Sequence, residues 1–174
     1  MRFTIFREKK TPTSVDTLLE GTVLPEIVEQ WSNANPGNSP RFMNLYEDIE
    51  NRRYKKALKT IQDLVKNPLD IHYILQMTRL DYFNIAIPDQ TILYSDICVI
   101  GGRIAEAIGN KRKARSFYDQ GVRALDAKAY ALAVGWISSG GSTRWSEETT
   151  ERIKEQVEMY STRQESLKDY KQRI

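Results

Sequence analysis

The chain has 174 residues, 40% of them hydrophobic, a size that suits one domain with a continuous core and not two. Charged residues make up 28% and the formal net charge is +3, too mild an excess to announce a nucleic-acid protein by itself. The single cysteine, Cys98, excludes an internal disulfide, and the longest apolar run, 129–137, is far below the ~20 residues that cross a bilayer.

At the N-terminus, charges flank the few apolar positions and the apolar run of a signal peptide is missing, so a soluble, cytoplasmic, non-membrane protein is expected. Phe3 and Ile5 alternate with Arg2 and Thr4, compatible with a short strand or a loosely docked arm. Ser14 can cap a short helix carrying Val15, Leu18 and Leu19, and Gly21 can stop it. Leu24, Ile27, Val28 and Trp31 share one face of a second helix after Pro25. Residues 1–38 are thus expected to form an arm and a small helical lid.

The turn-forming stretch 33–39 opens a new unit, 39–145. Ser39 and Pro40 cap a helix on which Phe42, Leu45, Tyr46 and Ile49 recur at helical spacing. The next helix sets Tyr54, Ala57, Leu58, Ile61, Leu64 and Val65 against a polar face rich in lysine. Asn67 and Pro68 repeat the cap and launch a helix with Ile71, Ile74, Leu75, Thr78 and Tyr82 inward.

After Pro88 and Asp89, Leu93, Ile97, Ile100, Ile104 and Ile108 follow one side of a helix while Ile92 and Val99 add a second apolar edge. Such a helix is normally sandwiched between neighbours, which places it centrally. A turn at Gly109-Asn110 separates it from a run with Ala114, Phe117, Tyr118, Gly121, Val122 and Leu125 inward. The stretch 127–139 has Lys128 as its only charge, so it is expected to be buried or to form an interface. Residues 146–174 lack Gly and Pro and read as one long helix, acidic at its start and basic at its end. Its seam of Ile153, Val157, Tyr160, Gln164, Leu167, Lys171 and Ile174 is interrupted twice, which suits a capping helix docked over its first half with a solvated tail.

The small residues Gly102, Ala114 and Gly121, with Tyr118 between the last two, resemble the spacing of the tetratricopeptide repeat, a unit of ~34 residues whose paired helices stack into a superhelix. Tyr54, Ala57, Ile61, Leu64 and Pro68 are similar to the second helix of such a unit, and Gly135, on a third helix, falls close to one period after Gly102. Cys98, Gly101 and Ala105 depart from the family's tryptophan, leucine and tyrosine, and the paired lysine and asparagine groove that clamps peptide carboxylates is missing. The resemblance implies an all-α fold: a short tetratricopeptide-like array of antiparallel helical hairpins with a long C-terminal helix and a small irregular N-terminal segment.

Catalytic chemistry finds little footing. His72 is the only histidine and offers neither a metal cluster nor a cysteine-histidine pair with Cys98. Gly101-Gly102 and Gly140-Gly141 lack the Lys-Ser/Thr of a phosphate loop, and Glu147, Glu148, Glu151, Glu155 and Glu158 read as a solvated helix face. The expectation is a protein that is not an enzyme and takes no cofactor or metal. It would bind a protein or peptide partner through an inner face bearing Phe42, Tyr46, Ile49, Val99, Arg103 and Glu106.

The alternative is a self-assembling, coat-like or nucleoprotein-like helical protein. Its nucleic-acid phosphates would lie on two basic hairpin edges, Arg52, Arg53, Lys55, Lys56 and Lys59, and Lys111, Arg112, Lys113 and Arg115. Its homo-oligomer contacts would involve Tyr130, Trp136, Ile153, Val157 and Tyr160.

Overall fold

A computed structural model describes residues 14–34, 41–66, 90–138 and 146–174, and every regular element among them is an α-helix. The elements are α1 (Val15–Leu19), α2 (Leu24–Ala34), α3 (Arg41–Glu50), α4 (Tyr54–Lys66), α5 (Gln90–Ala107), α6 (Lys111–Ser138) and α7 (Glu147–Gln172). The strand expected at the N-terminus, the cap at Ser39-Pro40 and the helix after Asn67-Pro68 lie outside the described residues.

Local chemistry sets the boundaries. The Ser14 hydroxyl accepts from the Thr17 amide at 3.1 Å, satisfying a donor that the first turn of α1 would leave unpaired, and Gly21 at φ +68° ends that segment. Between α5 and α6, Gly109 adopts φ +81°; its amide donates to Glu106 O at 2.8 Å and the Asn110 amide to Ala105 O at 2.7 Å. This pairing absorbs the last carbonyls of α5 and needs a left-handed residue at its centre. The Asn110 side chain then accepts from the Lys113 amide at 3.1 Å and opens α6.

The core is centred on α5, which packs against α1, α2, α4 and α6. Ile92, Leu93, Ile97, Ile100 and Ile104 are buried along it, as an apolar pattern on two edges requires, and only Ile108 at its end emerges. Of the six positions on α4 with inward periodicity, Ala57, Leu58, Ile61, Leu64 and Val65 are buried and Tyr54 is half-buried.

The small residues mark helix crossings. A Cβ on Gly101 would press on Ile61 of α4 and Phe117 of α6; on Gly102 it would fall inside the Tyr118 ring; on Gly121 it would meet Leu167 of α7 at 3.0 Å and Cys98 of α5 at 3.3 Å. The α5–α6 crossing at Gly102 thus leaves no room for a side chain, and the contacts at Gly101 and Gly121 are tighter than a Cβ normally makes.

Two features differ from the sequence-based expectation. α6 continues without a turn through Leu125 to Ser138, so Gly135 belongs to the same helix as Ala114 and not to a third one. The α7 helix docks by its second half: Tyr160 and Leu167 are its buried residues, whereas most of 147–159 is exposed. The cause is topological. α7 runs antiparallel to α6, with Gln164 against Asp126, Leu167 against Gly121 and Lys171 against Asp119, and only the N-terminal half of α6 belongs to the core. Gln164 and Lys171, which break the apolar seam, are the residues that bond across to α6. No described helix is long and apolar enough to cross a membrane.

Candidate functional site

Arg103 and Glu106 sit one turn apart on α5, facing the N-terminal segment and α7. The Arg103 guanidinium donates to the carbonyls of Leu18 at 3.2 Å and Glu20 at 2.7 Å, and to the Tyr170 hydroxyl at 2.6 Å. These two carbonyls close the C-terminal end of α1, where a cation is favoured. Tyr118 donates to Glu106 Oε1 at 2.5 Å and stacks on Tyr170 with ring centroids 5.6 Å apart. Burial and the Glu106 carboxylate both push the Tyr118 phenol far above its ordinary value, so it remains a donor. The pair expected to orient a ligand also fastens α1 and α7 to α5, and with Thr17, Glu20 and Arg173 it lines a cleft of about 420 Å³.

Val99 is half-buried against the core, and Ile49 is completely buried. Ile49 is thus a core residue that offers no contact surface, because helical spacing on α3 turns it toward the neighbouring helices. Phe42 lies on α3, its side chain outside the described positions. Tyr46 is half-buried, packed partly against the core. It lines an open cleft of about 820 Å³ between α1 and α3, with Val15, Leu19 and Pro25 giving apolar walls and Asp16, Glu20 and Glu50 carboxylates. Its phenol is raised by burial, then by Glu50 and Asp16, so it stays protonated in this acidic setting.

Two buried carboxylates tie the core together. Asp96, on α5, accepts from the Val23 amide at 2.8 Å and pairs with Arg163 of α7, joining three segments. Burial pushes its carboxyl up to about 6 despite the opposing pull of Arg163 and the Val23 amide. Asp48 on α3 accepts from Arg53 Nε at 2.7 Å and Lys56 Nζ at 3.2 Å, clamping the turn in which Arg52 takes φ 55°. Cys98 is fully buried and its thiol is pushed up by that burial, which suppresses the reactive thiolate. Among the described residues no group of three His, Cys, Asp or Glu side chains is placed to hold a metal.

The first basic edge is therefore divided. Arg53 and Lys56 are committed to Asp48, while Arg52, Lys55 and Lys59 are exposed. The second edge behaves differently. Lys111 reaches the Ile174 carbonyl at 3.4 Å and Lys113 borders a small hollow shared with Gln62 and Lys66 of α4. Arg112 and Arg115 line an adjoining open hollow of about 660 Å³ with Ser116, Asp119, Gln120 and Arg123.

Of the residues expected at an oligomer contact, Tyr130 is 73% exposed, Ile153 and Val157 are half-buried and Tyr160 is buried, so Tyr160 belongs to the chain's own packing. Trp136 lies on α6, its side chain outside the described positions.

Sequence reasoning missed Asp96, Arg163, Tyr170 and Arg123. A carboxylate amid the isoleucines of α5 was a signal for a buried pair, and Arg123 stands eleven residues after Arg112, on the same helical stripe. Neither a protein family, nor a curated protein, nor a solved structure matches this chain.

Proposed function

We propose that the chain is a non-enzymatic interaction module that docks a partner protein in the cleft between α1 and α3. The carrying observation is the cleft beside Tyr46: a half-buried aromatic ring, apolar walls from Val15, Leu19 and Pro25, and a rim of three carboxylates, Asp16, Glu20 and Glu50. An aromatic anchor in an apolar recess with a charged rim is the usual anatomy of a protein-recognition site, and the rim selects a basic segment carrying an apolar residue. The adjacent hairpins α3–α4 and α5–α6, meeting through α4 and α5, support reading the scaffold as a short tetratricopeptide-like array. Its inner face is narrowed by α1, whose C-terminal carbonyls Arg103 holds, which moves the docking surface from the α5 face to the α1–α3 cleft.

Titration with fluorescent peptides that combine Lys or Arg with Leu or Trp tests this reading. Tyr46→Ala and Glu50→Lys should each weaken capture about tenfold, the loss of one anchor or one rim charge with its reversal. Equal binding by both variants, with unchanged helical circular dichroism, would reject the cleft.

A further inference from the structure

The arginines on the outer face of α6 call for a separate account. Arg53, Arg103, Arg152 and Arg163 all bond to carboxylates, carbonyls or a phenol. Arg112, Arg115 and Arg123 bond to nothing among the described residues, although they line a single hollow. The one carboxylate there, Asp119, is engaged by Lys171 at 2.6 Å. The segment 111–123 carries five cations and one carboxylate, a net +4 that exceeds the +3 of the entire chain.

We propose that this hollow binds the phosphodiester backbone of a nucleic acid, without reading its bases. The proposal is independent of the α1–α3 cleft, and three properties of the hollow support it. First, positions 112, 115, 116, 119 and 123 form one stripe along the helix, about 16 Å from end to end at 1.5 Å per residue. A linear array of separated cations suits a polymer of regularly spaced monoanions, whereas one free phosphate or lipid headgroup would need them converging on a point. Second, each guanidinium presents a fork of donors that matches two phosphate oxygens, and Ser116 and Gln120 add neutral polar groups to the same wall.

Third, every residue that lines the hollow is polar or charged, with only the stems of these side chains giving apolar surface. The nearest aromatic, Phe117, is 3% exposed and turned into the core, so no ring is offered for base stacking. The same polarity disfavours a membrane, which an amphipathic helix enters with exposed apolar residues, and an acidic peptide, which would lack an apolar anchor here.

Fluorescence anisotropy with labelled 25-nucleotide single strands and duplexes of unrelated sequence, from 50 to 200 mM salt, tests the assignment. The full chain should bind both with little sequence preference, and the logarithm of affinity should fall with the logarithm of salt at a slope of about −2 to −3, as three phosphate contacts imply. Arg112→Gln/Arg115→Gln/Arg123→Gln should weaken binding at 50 mM salt at least about tenfold and flatten the slope. Lys55→Gln/Lys59→Gln, which removes exposed cations from α4 outside the hollow, should stay within about twofold.

Absence of binding at 50 mM salt overturns the proposal. So does an equal loss in the α4 variant, which would reveal a diffuse charge effect, or tighter binding to anionic phosphatidylserine vesicles or polyglutamate than to the oligonucleotides. Circular dichroism confirms that each variant is folded, and a peptide titration at the Tyr46 cleft reports separately on the other site.

Discussion

The antiparallel hairpin of α6 and α7 has two halves of contrasting character. In the inner half, residues 111–125 and 160–174, Gly121 receives Leu167, Arg163 reaches the buried Asp96, and Tyr170 is stacked on Tyr118 and bonded to Arg103. In the outer half, residues 126–138 and 146–159, Tyr130 is 73% exposed, Val134 43% and Met159 37%, and no fully buried side chain is described. One pair of helices is therefore core at one end and surface at the other. Helical propensity carries the chain through both halves; what differs is the presence of α5 alongside.

The sharpest way to break this contrast is to unseat the inner half. Arg163→Ala leaves the buried Asp96 carboxylate with the Val23 amide and the charge of Arg103, and stability at pH 7.5 should fall by about 3 kcal/mol, measured by urea denaturation. Because the Asp96 carboxyl is pushed up to about 6, the loss should shrink at pH 5, where the group is largely neutral and needs no counter-charge. A penalty that is constant with pH would mean that Arg163 acts by packing its stem and not through its charge.

The carboxylate itself gives the next test. A folded value near 6, above the ordinary unfolded value of about 3.9, means that the folded protein holds this proton more tightly than the unfolded chain. The resulting stabilisation is complete below about pH 4 and is lost as pH rises through 6, up to about 3 kcal/mol for a shift of two units. Relative to Asp96→Asn, the wild type should therefore lose stability over this range. If it gained, attraction to Arg163 would outweigh desolvation.

A smaller effect is expected where shape alone is at stake. Gly102→Ala places a methyl group in the Tyr118 ring, and overpacking of this kind costs about 2 kcal/mol, or about 4–8 °C in Tm. Tyr118→Leu combined with Gly102→Ala should be less destabilised than the sum of the single changes, since the second removes the atoms that the first strikes. Strict additivity would place the strain elsewhere.

Much of this architecture was legible because apolar periodicity reports which face of a helix is covered. It located the five buried positions of α4, the two-edged burial of α5 and the small residues at the crossings. It does not report which neighbour does the covering. The docking of α7 by its second half follows from pairing partners 38 to 67 residues away, Asp126 with Gln164 and Asp96 with Arg163, which no local window contains. The same gap explains the candidate sites. Arg103 and Glu106 had the spacing of a ligand-facing pair, but they are also bonded to Leu18, Glu20, Tyr118 and Tyr170 of the same fold. Arg112 and Arg115 kept the exposed position that their sequence context implied, Tyr46 is half-buried at the edge of its cleft, and Arg123 joins the two arginines because it lies on the same helical stripe of α6.

The least costly substitutions should be those in the outer half. Tyr130→Ser removes a side chain that is largely in water and Val134→Ser one that is 43% exposed, so each should change stability by no more than about 0.5 kcal/mol. Their effect on self-association is the informative quantity. Exposed apolar residues separated by four positions share one helix face, and a face that pairs with a second copy would lose that pairing when both become serine. Light scattering across a concentration series should show a smaller average mass for the double variant if the face joins two copies, and an unchanged mass if it is free. A stability loss above about 2 kcal/mol in the monomer would instead place the outer half in the core and abolish the distinction between the two ends of the hairpin.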